Sequence, residues 1–133
     1  GGEHMDKDWI LFKKRLHNVD KDLFFSVLSH IGDKWSLILL GVLSQKALRY
    51  NELVERIPKI SRRMLTVTLR KLERDGLVER KVNEGPQAYF EYSVTELGRT
   101  LIVPVRALGN WALENIEQIT HNRETYDAEN QAC

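Results

Sequence analysis

The sequence predicts a mostly α-helical fold interrupted by one small β-hairpin. Three observations lead there. Apolar residues recur at steps of three and four over most of the chain. Two short stretches that favour strand, residues 77–82 and 89–94, flank the turn-forming run Asn83-Glu84-Gly85-Pro86. No apolar run approaches the roughly 20 residues that a membrane span needs. With 133 residues, 42% of them hydrophobic and 29% charged, the chain is ordinary for a globular protein. That composition excludes a disordered tail, a collagen-like repeat and a disulfide scaffold. One domain is expected over residues 6–122, after a vector-derived leader at residues 1–5 and before a polar tail at residues 123–133.

The elements follow in order. Trp9, Phe12, Leu16 and Val19 mark a helix near residues 6–17 with one apolar stripe. Phe24, Val27, Leu28 and Ile31 mark a second, capped by Asp20 or Asp22 and ended by Gly32. From Asp33-Lys34 onward, Trp35, Leu37, Ile38, Leu39, Leu40, Val42 and Leu43 are apolar on nearly every side. A helix of that kind belongs at the centre of a domain. Residues 47–50 suit a brief strand. Asn51 is the expected cap of a short helix carrying Leu53, Val54 and Ile57, which Pro58 stops.

Ser61 is expected to cap the next helix, Ser61–Asp75, which Gly76 ends. Its inward face is Leu65, Thr68, Leu69 and Leu72. Its outward face is Arg63, Thr66, Val67, Arg70 and Arg74, with Arg62 near the edge. After the hairpin, Leu97, Leu101, Val105, Leu108, Ala112, Ile116 and Ile119 define one long helix. Pro104 lies inside it, cannot donate to the carbonyl of Thr100, and predicts a kink or break. The polar stretch after His121 is expected to fray.

Charge singles out one region. Residues 59–81 hold eight basic side chains against three acidic ones, a net of +5 on a chain whose total is +1. A local basic segment on a near-neutral chain suits a face for an anionic polymer. The order short helix, turn, basic helix, hairpin is that of a winged helix-turn-helix. A helix is about as wide as the major groove of duplex DNA admits, and the second helix of such a pair enters by its N-terminal half. That half carries Ser61, Arg62, Arg63 and Thr66. Arginine can fork onto guanine edges or clamp a phosphate.

The motifs also carry a resemblance. Gly32-Asp33-Lys34-Trp35, Arg49-Tyr50-Asn51-Glu52-Leu53, Ile60-Ser61-Arg62-Arg63 and Tyr92-Ser93-Val94-Thr95-Glu96-Leu97-Gly98 stand in one order and spacing. Over about residues 19–111 the chain resembles the HxlR family of bacterial transcription regulators. These are winged-helix proteins related to the MarR group that act as homodimers. The resemblance implies that Ser61, Arg62, Arg63, Thr66 and Arg70 face DNA. It also implies that Lys34 and Asn51 sit near the backbone and the hairpin over the adjacent minor groove. The first and last helices would build the dimer.

Two departures stand out. Many members have a Cys-Pro pair before the second helix, used in some for thiol sensing; here the stretch reads Asn18-Val19-Asp20. Many also carry a basic residue where the wing enters its second strand; here it reads Pro86-Gln87-Ala88-Tyr89. Arg80 and Lys81 on the first wing strand are the expected substitutes.

A single small domain has little core to spare for two outer helices. Trp9, Phe12, Leu16, Leu108, Trp111 and Ile116 are therefore expected at a dimer interface. The four histidines, His4, His17, His30 and His121, show no metal-ligand spacing, and one cysteine, Cys133, builds neither a disulfide nor a zinc site. No nucleophile triad and no phosphate-cradling glycine loop is present, so no enzyme, cofactor or metal is expected. The expected partners are an inverted-repeat duplex operator and a second copy of the chain. A small-molecule effector at the dimer interface is left open, since no residue set identifies one. A reducing, cytoplasmic setting fits the cysteine usage. The rival reading is a winged helix that binds protein, which a mostly acidic or apolar outer face on Ser61–Asp75 would have favoured.

Overall fold

The computed structural model describes residues 2–131. The order of elements is α1 (Gly2–His17), α2 (Lys21–Gly32), α3 (Lys34–Leu43), β1 (Leu48–Arg49), α4 (Tyr50–Arg56), α5 (Arg62–Arg74), β2 (Val78–Asn83), β3 (Tyr89–Val94) and α6 (Glu96–Gln131). The fold is mostly helical with a small antiparallel sheet, as the sequence predicts. The sheet has three strands in the order β1-β3-β2, because β1 adds Leu48 opposite Tyr92 and Arg49 opposite Glu91. β2 and β3 pair from Val78–Val94 out to Asn83–Tyr89. Side chains alternate along a strand. Val78, Arg80, Val82, Phe90, Tyr92 and Val94 therefore share one face, while Glu79, Lys81, Asn83, Tyr89, Glu91, Ser93 and Arg49 share the other.

The core is built where the apolar patterns converge. Leu39, Leu40 and Leu43 of α3 meet Leu65, Leu69 and Leu72 of α5, Leu53 and Ile57 of the α4 segment, and Leu48, Val78, Tyr92 and Val94 of the sheet. Burial of about 1.5–3 kcal/mol per large aliphatic side chain makes this cluster the main source of stability. Ser36 is also fully buried in α3, and among the described residues its hydroxyl has no hydrogen-bond partner. α1 and α2 lie outside this cluster. They meet through Phe12 and Phe24, edge to face at 6.2 Å, with Trp9 stacked on Phe12 at 5.5 Å.

Asp20 rather than Asp22 caps α2, accepting from the Leu23 N–H at 3.1 Å. α2 and α3 meet at 67°, and no single helix among the described residues is long and apolar enough to cross a membrane.

Four expectations need correction. α1 starts at Gly2, not near Asp6, so helical backbone extends through residues read as a leader. Asn51 does not cap α4. The chain leaves β1 at Arg49 and turns helical at once, with the Arg49 N–H donating to Glu52 Oε1 at 2.9 Å. α6 is unbroken through Pro104, and it continues to Gln131 where a frayed tail was expected. A proline within a helix forfeits one bond in the ladder, and the other turns of this 36-residue helix hold it continuous. Beyond His121 the side chains are polar, and Asn130 Nδ2 donates to the Tyr126 carbonyl at 2.8 Å.

Candidate nucleic-acid interface

The candidate site is the outer face of α5 together with the hairpin beside it. Ser61 starts α5, its Oγ accepting from the Met64 N–H at 3.0 Å. Leu65, Thr68, Leu69 and Leu72 are buried, as the heptad-like pattern predicts. Thr68 is tolerated there because its hydroxyl donates to the Met64 carbonyl at 2.7 Å. Arg62, Arg63, Arg70 and Arg74 are all exposed. Among the described residues, none of these four has a carboxylate at ion-pair distance. The opposite face being locked in the core, these cations have nowhere to point but outward.

The pose of α5 is fixed at both ends. At its start, Tyr50 Oη donates to the Arg62 carbonyl at 3.0 Å and lies 3.1 Å from Thr66 Oγ1. A phenol has one proton and the carbonyl can only accept, so the Thr66 hydroxyl donates to Tyr50. The Arg62 guanidinium also lies 5.9 Å from the Tyr50 ring. At the far end, His30 Nδ1 of α2 meets Asp75 Oδ2 at 2.8 Å. The turn before α5 holds Lys59 in the left-handed region, at φ 74°.

The sequence-predicted residues separate on inspection. Ser61, Arg62, Arg63 and Arg70 stand exposed along one helix. Thr66 is half-buried, and with its proton given to Tyr50 it can only accept from a partner. Asn51 is exposed in the first turn of α4. Lys34 is exposed at the start of α3, its ammonium 4.9 Å from the Trp35 ring. Arg80 and Lys81 are neighbours on a strand and so point to opposite faces. Arg80 lies 4.6 Å from the Phe90 ring, and Lys81 pairs with Glu79 at 3.2 Å.

Two residues were missed by sequence reasoning, Arg49 and Tyr50. Both lie within a motif that was noticed, yet their partners, Tyr89 and Arg62/Thr66, come from elements distant in sequence. Arg49 lays its guanidinium over the Tyr89 ring at 3.4 Å.

The outer helices expose much apolar surface. Trp9, Phe12, Leu108, Trp111 and Ile116 are all exposed, and Leu16 is half-buried. Among the described residues, no group of three or more His, Cys, Asp or Glu could hold a metal ion. Cys133 and the side chain of His4 lie outside those residues.

A short helix, a turn, a basic helix and a β-hairpin packed behind it define a winged helix-turn-helix, with a long C-terminal helix added. That class is the helix-turn-helix transcription regulators rather than enzymes. The match to the HxlR-like helix-turn-helix model runs over residues 30–120, and the chain belongs to that family. It is similar to the HTH-type transcriptional regulator YdeP of Bacillus subtilis (strain 168), 44% identical over 86 residues. That stretch is 65% of this chain and 67% of YdeP. Among solved structures it is similar to the redox regulator HypR in its reduced form, with a TM-score of 0.67 and 38% identity, covering 74% of this chain and 97% of HypR. It is also similar to a MarR-family transcriptional regulator of Enterococcus faecalis V583, with a TM-score of 0.64 and 31% identity, covering 78% of this chain and 96% of that one.

Proposed function

We propose that the chain is a homodimeric, sequence-specific regulator that binds double-stranded DNA in the cytoplasm. Each protomer places α5 in the major groove and the β2–β3 hairpin at the adjacent minor groove. The observation that carries this reading is the division of α5. Four leucine- and threonine-bearing positions are sealed in the core, while Arg63 and Arg70 stand opposite them, exposed and, among the described residues, without an acidic partner. Ser61 and Arg62 extend the contact at the N-terminal end, and Lys34 and Asn51 flank it at the backbone. Thr66 lies beside Arg62 and Arg63, its hydroxyl 3.1 Å from Tyr50 Oη. Lys81 or Arg80 adds a contact from the wing.

Dimerisation follows from the outer helices. Trp9 and Trp111 are each more than half exposed, and α1 and the distal part of α6 offer a row of large apolar side chains with no cover. Patches of that extent mark association surfaces. A two-fold dimer reads an inverted repeat with half-site centres roughly 34–36 Å apart, or a multiple of that. Phosphate contacts make the binding steeply salt-dependent. Redox regulation is not carried over from HypR, because the stretch before α2 is Asn18-Val19-Asp20 and the one cysteine is Cys133.

The test is a fluorescence-anisotropy titration with the duplex upstream of its own gene and with a scrambled duplex, at two salt concentrations. Tighter, salt-sensitive binding to the upstream duplex is expected. Arg63→Ala is expected to cost about 1–3 kcal/mol of specific affinity, or to lower the salt slope by about one. No binding of either duplex at low salt would leave the protein-binding reading standing instead.

A further inference from the structure

The hairpin that forms the wing is poor in cations at its tip. From Val82 to Gly98 the chain has no Lys or Arg, and the turn itself carries Glu84. A wing tip with no positive charge has little of its own to hold a phosphate, and Arg80 and Lys81 lie further back on β2. The structure supplies a cation from elsewhere. Arg49 belongs to β1, on the edge of the sheet, and its guanidinium lies flat over the Tyr89 ring at 3.4 Å. Tyr89 is the residue at which β3 leaves the wing turn, and its hydroxyl is held by Asn83 Nδ2 at 2.7 Å. The platform under Arg49 is thus fixed by the last pair of the hairpin, Asn83–Tyr89. Stacking occupies the face of the guanidinium and leaves the N–H groups around its edge to point outward. Glu91 is its cross-strand neighbour, yet no carboxylate lies within ion-pair distance of Arg49 among the described residues.

The next residue gives the location. Tyr50 touches the first turns of α5 through Arg62 and Thr66, while Arg49 touches the start of the wing. One dipeptide therefore spans the gap between the recognition helix and the hairpin. When a helix occupies a major groove and a wing the neighbouring minor groove, one phosphate strand separates the two grooves. That strand must cross this gap.

We propose that Arg49 is the phosphate-binding cation at the tip of the wing, lent by β1 and oriented by Tyr89, and that it holds the strand between the two grooves. This rests on the DNA-binding reading above. The test is the slope of log affinity against log salt for the full chain on the duplex upstream of its own gene. Arg49→Gln keeps most of the side-chain length and loses the charge; it is expected to flatten the slope by about one per protomer. Arg49→Lys keeps the charge and is expected to keep the slope. An unchanged slope for Arg49→Gln, while Arg63→Ala still weakens specific binding, overturns the Arg49 assignment and leaves the DNA-binding reading intact. Weakening by both Arg49 variants with neither slope altered makes Arg49 a structural residue only, which also overturns it. A wild-type chain that binds no duplex at low salt removes the underlying reading and this assignment with it. A second measurement needs no variant. Single methylphosphonate replacements along the strand between the half-site and the adjacent minor groove are expected to reduce wild-type affinity, and no loss at any of those positions overturns the proposal.

Discussion

Gly98→Ala is the most informative stability experiment. Gly98 is the third residue of α6 and the one fully enclosed residue of that helix. Its N–H donates to Thr95 Oγ1 at 3.0 Å, and Thr95 in turn donates its hydroxyl to the Gly76 carbonyl at 2.6 Å and its N–H to the Leu77 carbonyl at 3.1 Å. A Cβ added at Gly98 lands on the Leu77 carbonyl oxygen, 2.7 Å from Val94 Cγ1 and 3.1 Å from the Leu77 carbonyl carbon. The carbonyl cannot swing away, because it is already accepting from Thr95. Val94 cannot retreat, because it is part of the core. The start of α6 has to lift by roughly 1 Å, an overpacking strain of about 1–3 kcal/mol. Weakening the Thr95 bonds adds about 1 kcal/mol, and the better helix propensity of Ala returns about 0.5–1 kcal/mol. The expected net loss is about 1–3.5 kcal/mol, or a fall in Tm of about 5–15 °C for a domain of this size. Urea and thermal unfolding at one fixed protomer concentration measure it. Gly76→Ala is the control. Gly76 has φ 76° and open space where a Cβ would go, so its cost is the left-handed backbone alone, about 1–2 kcal/mol. If Gly98→Ala proves no more damaging than Gly76→Ala, the packing argument is wrong.

Three further outcomes are expected. Ser36→Ala removes a fully buried hydroxyl that has no partner among the described residues and should raise stability by about 1 kcal/mol in urea titrations; a loss of stability would mean the hydroxyl is satisfied. Tyr50→Phe deletes the bonds to Arg62 and Thr66. It should lower stability by about 1 kcal/mol and weaken specific DNA binding while leaving the salt slope alone, whereas a changed slope would point to a direct phosphate contact. Truncation after Gly109 should yield a monomer or an insoluble chain by light scattering, and a well-behaved dimer would move the interface elsewhere.

The recognition helix was readable from sequence because its signals are local and agree. Ser61 as cap, Leu65, Leu69 and Leu72 on one face and Gly76 beyond the end all report the same helix. The α4 boundary was not, since Asn51 has the better intrinsic capping chemistry and tertiary pairing overrules it. Leu48 opposite Tyr92 fixes where the strand ends, and Glu52 then reaches the Arg49 N–H. The reach of α6 was missed for a different reason: residues beyond His121 lack an apolar stripe, and a periodicity test has nothing to detect in a helix without one. In the candidate site, exposed arginines on one helix could be found by their spacing. The stacking of Arg49 on Tyr89 could not, because 40 residues separate the partners along the chain. The opposite facing of Arg80 and Lys81, by contrast, follows from their being neighbours on one strand.

The double anchoring of α5 separates what the helix is from what it reads. Tyr50 grips its first turn through a main-chain carbonyl, His30 holds the acidic residue at its end, and leucines seat the side between. None of these tethers uses the outward side chains at positions 63, 67 or 70. On the DNA-binding reading proposed above, those positions are exchangeable without redrawing the scaffold, so operator choice is open to change at surface residues, whereas changes at the anchors tilt the whole helix and spoil every operator alike.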